Sequence, residues 1–69
     1  MESYAIAQRI RAFRKLKGFT QTELADQLDV SIAVLGAIER GTRSPDAQII
    51  SKISEVLGID PEELFPTAK

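Results

Sequence analysis

The sequence predicts an all-α fold, a compact bundle of four helices plus a short fifth, and three observations carry that prediction. Apolar residues recur three and four positions apart, as one face of a helix requires. Side chains that cap helix starts precede these stretches, at Thr20, Ser31, Asp46 and Asp60. Gly18, Gly41 and Gly58 follow them, in the position where helices end with a residue in the left-handed region.

Helix one is expected from about Tyr4 to Lys17, with Ile6, Ile10, Phe13 and Leu16 or Lys17 forming its buried stripe. Its charges Arg9, Arg11, Lys15 and Lys17 read as a solvated face. Helix two, about Gln21 to Leu28, opens with Thr20-Gln21-Thr22-Glu23, which has the capping-box form that satisfies two orphan amides. Phe19 sits just outside as a hydrophobic staple toward Leu24, and Leu24, Ala25 and Leu28 make the apolar face. Asp29-Val30 breaks the pattern. Helix three follows, about Ser31 to Arg40, with Leu35 and Ile38 facing inward. Gly36 inside it costs about 1 kcal/mol relative to alanine, which points to a close approach of another surface or to simple tolerance.

Pro45 makes the preceding residues extended, and Asp46 can cap helix four, about Ala47 to Leu57. Ile50, Ile53 and Leu57 are its expected core, with Ile49 a candidate contact for a second subunit. Asp60-Pro61-Glu62-Glu63 starts the short fifth helix, with Leu64 and Phe65 turned inward. The stretch from Thr20 to Gly41 is thus two short helices and a tight turn, the pattern of a helix-turn-helix unit.

Composition removes several function classes. The 69 residues suffice for a single domain, 1–69, of marginal stability. Without cysteine or histidine there is no thiol chemistry, no imidazole base and no thiolate or imidazole metal site, so neither an enzyme nor a cofactor- or metal-binding protein is expected. No apolar run approaches the ~20 residues of a membrane span, and Met1-Glu2-Ser3-Tyr4 lacks the form of a signal peptide, so a cytoplasmic location is expected. The net charge of -1 hides an asymmetry. Residues 1–43 carry seven Lys and Arg against five acids, whereas residues 44–69 carry two against five.

Gln21-Thr-Glu-Leu-Ala-x-x-Leu-x-Val-Ser31, followed by Ile38-Glu-Arg-Gly41, resembles the DNA-binding domain of the Xre and lambda-repressor-like helix-turn-helix family, the Cro repressor type. The likeness extends to Arg9-Ile10-Arg11, Arg14-Lys15 and Lys17-Gly18 on one side, and to Pro45, Leu57-Gly58-Ile59 and Glu63-Leu64-Phe65 on the other. It implies a sequence-specific transcriptional regulator, a repressor, that docks helix 31–40 in the major groove of double-stranded DNA. A homodimer is the partner state it leaves open.

The resemblance also implies roles. Thr20 and Gln21 at the start of helix two, and Arg40, Thr42 and Arg43 around the end of helix three, would touch the DNA backbone, since helix N-termini and arginines suit phosphates. Arg14 and Glu39 match positions that form a structural ion pair, which would join helices one and three and aim Arg14 at a phosphate. Two departures stand out. Asp29 replaces the usual turn glycine, so modest strain is expected there. The base-edge positions Ile32, Ala33, Gly36 and Ala37 carry no hydrogen-bonding side chain, which leaves thymine methyl groups as their natural targets. That bare surface, with Val34, supports an alternative: a helix-turn-helix module that binds a protein partner through the apolar face of helix 31–40 and binds DNA weakly or not at all.

Overall fold

Five helices follow one another in the computed structural model, which describes residues 2–64, with side chains from Ala5 onward. They are α1 (Glu2–Leu16), α2 (Gln21–Leu28), α3 (Ile32–Arg40), α4 (Ala47–Leu57) and α5 (Pro61–Leu64), with no strand among the described residues. α1 packs on α3, α4 and α5, while α2 packs on α3 and α4. The shared core is Ile10, Leu24, Ala25, Leu28, Leu35, Ile38, Ile53, Leu57 and Leu64. Burying these side chains supplies most of the driving force, at roughly 1.5–3 kcal/mol for each Leu or Ile.

The local signals work as expected at the helix starts. Thr20 Oγ1 accepts from the Glu23 amide at 3.1 Å, and Glu23 Oε1 accepts from the Thr20 amide at 2.9 Å. Ser31 is the N-cap of α3 rather than its first residue, its hydroxyl accepting from the Val34 amide at 3.1 Å. Asp46 Oδ1 accepts from the Ile49 amide at 2.8 Å. Phe19 is half-buried against the core that contains Leu24, as a staple requires.

Asp29 adopts φ 62°, ψ 39°, and is the one non-glycine residue at positive φ among those described. Its amide donates to Asp26 O at 3.1 Å and the Val30 amide donates to Ala25 O at 3.0 Å. These are the paired bonds of a Schellman end, so the turn keeps the geometry that glycine would give.

Three details of the inward faces differ from expectation. α1 runs from Glu2 to Leu16, not from Tyr4 to Lys17, and Leu16 is 75 % exposed rather than buried. Six residues beyond Ile10 is about 600° of rotation, which carries Leu16 a third of a turn off the buried stripe. Ala7, Ile10 and Arg14 form that stripe, with Ile6 and Phe13 half-buried beside it. On α4, Ile49 is half-buried and packs against the core, whereas Ile50 is half-buried and lies off it. The cause is the side from which α1, α2 and α5 cover α4. Leu64 is fully buried, while Phe65 falls outside the described residues. α5 starts with a backbone bond from the Glu63 amide to Asp60 O at 2.9 Å, and no side-chain bond from Asp60 caps it among the described residues.

Candidate nucleic-acid interface

The turn after α2 sets α3 across the front of α1, and the outer face of α3 follows from which residues the core takes. Leu35 and Ile38 go in, so Ile32, Ala33 and Arg40 come out and Ala37 is half-buried. Ile32 is 50 % exposed, one of two large hydrophobic side chains so exposed among the described residues. Gly36 differs from its expected base-edge placement: it is buried. A Cβ built on it would lie 3.3 Å from Nη1 of Arg40, so the arginine four residues on folds back across the glycine. The close approach that Gly36 permits is therefore made within its own helix.

Behind that face lies the ion pair. Arg14 Nε donates to Glu39 Oε2 at 2.7 Å and Nη2 donates to Oε1 at 3.1 Å, a two-point contact between α1 and α3. Arg14 Nη1 donates to Phe19 O at 2.9 Å, and Gln21 Nε2 donates to Glu39 Oε1 at 3.0 Å. One network thus ties the end of α1, the start of α2 and the last turn of α3. Both charged residues are 8 % exposed, so the pair has little water to screen it. Arg14 is consequently built into the scaffold. Its guanidinium spends donors on Glu39 and Phe19 and presents little surface to a phosphate.

The other expected backbone contacts are placed as follows. Thr20 is exposed but its hydroxyl is occupied as the cap of α2. Gln21 is half-buried with its side-chain amide on Glu39, which leaves its backbone N–H at the helix start as the group open to an anion. Thr42 seals the end of α3, its amide and its hydroxyl both donating to Ala37 O, at 3.0 and 3.2 Å. Arg43 is exposed and makes no ion pair among the described residues.

One feature went unread in the sequence. An open cleft of about 500 Å³ is lined by Arg11, Arg14, Lys15, Gln21, Gly36, Glu39 and Arg40. Four cations face one carboxylate there. Arg11 and Lys15 were legible only as solvated charges, although Arg11, Arg14 and Lys15 share one face of α1 at i, i+3 and i+4. That shared face was the available signal.

Comparison with known proteins gives a consistent picture. A helix-turn-helix family model matches residues 10–64. The chain is 51 % identical over 69 residues to the uncharacterised HTH-type transcriptional regulator YazB of Bacillus subtilis, covering 100 % of both chains. It is 38 % identical over 61 residues to the HTH-type transcriptional regulator SinR of Bacillus subtilis, spanning 87 % of this chain and 55 % of that one. Among solved structures, the restriction-modification controller protein C.AhdI of Aeromonas hydrophila superposes with a TM-score of 0.86 at 35 % identity, covering 91 % of this chain and 96 % of that chain.

Proposed function

This chain belongs to the helix-turn-helix family and is a DNA-binding transcriptional regulator, and we propose that it works as a repressor by docking α3 in the major groove. The observation that carries the docking is the outer face of α3. Ile32 and Ala33 are exposed and Ala37 half-buried on that face, Arg43 is exposed just past its end, and the free N–H groups at the start of α2 suit a phosphate. The role is binding, not catalysis, in the cytoplasm, on double-stranded DNA. The relatives are transcriptional regulators, which favours this reading over the protein-binding alternative.

The terms of recognition divide cleanly. Affinity comes from phosphate contacts at Arg43 and the start of α2, which carry no sequence information. Specificity comes from apolar contact of Ile32, Ala33 and Ala37 with thymine methyls, together with DNA shape. Two copies acting as a homodimer would set their α3 helices about 34 Å apart, one turn of DNA, and would select an inverted repeat.

A selection from a random duplex pool, followed by binding at rising salt, tests the proposal. T-rich half-sites and a steep fall of affinity with salt are the expected result. Binding that ignores salt, or the absence of any enriched sequence, would overturn it.

A further inference from the structure

We propose that the basic cleft between α1 and α3 is a seat for one backbone phosphate of the bound DNA, held by Arg11, Lys15 and Arg40, and that Gly36 is the residue that lets Arg40 lie in it. The inference rests on the DNA-binding reading and assigns α1 a share in it. Charge is the first argument. Arg11, Arg14, Lys15 and Arg40 line the cleft against Glu39 alone, and Glu39 is already matched by Arg14 and Gln21 through both of its oxygens. Arg11, Lys15 and Arg40 are exposed and make no ion pair among the described residues. Three like charges converging on one hollow repel one another, and an anion between them relieves that repulsion. Guanidinium groups suit a phosphate because their fork of N–H donors matches two of its oxygens.

Position is the second argument. Arg11 and Lys15 are four apart, so both point to the side of α1 that faces α3. Helical side chains lean toward the N-terminus, which brings Arg40 back over residue 36. An alanine Cβ there would lie 3.3 Å from Nη1, tighter than ordinary contact, so the guanidinium would have to shift by a few tenths of an ångström from its place in the cleft. The cleft runs beside α3, so a strand bordering the groove that α3 enters passes over it. Its occupant is therefore the strand, not a free anion.

The test uses the full chain and random-sequence duplex, followed by fluorescence anisotropy between about 50 and about 200 mM salt. The Arg11→Gln, Lys15→Gln double variant should bind at least about threefold more weakly at low salt. Its log–log salt slope should be shallower by about one unit, with a melting temperature that does not fall. An unchanged slope, against a steep slope for the unsubstituted protein, overturns the seat and leaves the DNA reading intact. A flat slope in the unsubstituted protein overturns both. Gly36→Ala should melt higher yet bind DNA more weakly, and should have no further effect on binding once Arg40→Ala is present. A loss that persists in the Arg40→Ala background overturns the part assigned to Gly36. Titration with inorganic phosphate at constant ionic strength should give no saturation at millimolar levels. Saturation there that disappears in the double variant would assign the cleft to a free anion and overturn the strand as occupant.

Discussion

Arg14 and Glu39, 25 residues apart in sequence, meet in a two-point contact of 2.7 and 3.1 Å that joins α1 to α3 with both side chains nearly removed from water. Their isolation is what gives the pair its leverage. A buried charge that loses its partner keeps its desolvation cost and loses its compensation.

Arg14→Ala should therefore destabilise the protein by about 3–5 kcal/mol. Removing Glu39 as well should restore part of that loss, because no carboxylate is then stranded. Urea unfolding of the two single variants and the double variant checks this. Strictly additive losses would show that the two residues are not coupled.

Arg43→Ala should weaken binding to every duplex by a similar factor, whereas Gln21→Ala keeps the backbone N–H at the start of α2 and should change binding little. Phosphate contacts position the protein without reading bases. The Gln21 side chain supports Glu39, so Gln21→Ala should cost about 0.5–1.5 kcal/mol of stability. Circular dichroism confirms that helicity survives, and anisotropy on several unrelated duplexes measures the loss. A loss confined to one sequence would count against a backbone role.

Ala33 is exposed on α3 and offers a base edge only a methyl group. Ala33→Gln should shift the selected sequence toward adenine at one position, since a bidentate Gln contact is worth about 1–3 kcal/mol of discrimination. Selection from a random pool with both proteins compares the preferences. Identical motifs would remove Ala33 from the groove.

Asp29 holds φ 62° at the carbonyl end of α2, where both its Cβ and its negative charge are unfavourable. Asp29→Gly should raise stability by about 0.5–1 kcal/mol, because the left-handed cost relieved, roughly 1–2 kcal/mol, exceeds the entropy that glycine brings to the unfolded chain. The thermal midpoint should rise without loss of DNA binding. A fall would mean that the entropy glycine gains in the unfolded chain exceeds the strain relieved.

Ser54 is buried in α4, and its hydroxyl has no hydrogen-bond partner among the described residues. An unmatched buried hydroxyl costs about 1–3 kcal/mol of desolvation. Ser54→Ala should therefore be neutral or stabilising, by up to about 1 kcal/mol, and also gains helix propensity. Denaturant midpoints at unchanged slope provide the check. A clear loss would indicate that the hydroxyl is satisfied in solution.

By itself the sequence determined where α2, α3 and α4 begin and end, because those decisions are local. The capping box at Thr20 and Glu23, the caps at Ser31 and Asp46, and the left-handed ends at Asp29 and Gly41 each involve residues within one or two turns. The Gln21–Ser31 and Ile38–Gly41 motifs also named Arg14 and Glu39 as partners through resemblance, and the structure joins them. Only the tertiary structure decided rotation and approach. It turned Leu16 outward and Arg14 inward, took Ile49 rather than Ile50 against the core, and folded Arg40 over a buried Gly36. It also brought Arg11 and Lys15 of α1 to the same cleft as Arg40 of α3. Periodicity specifies that a helix has an apolar side to within about one residue, or ~100° of rotation. Which neighbour covers that side, and which charges then face each other across the gap, follows from packing between distant segments.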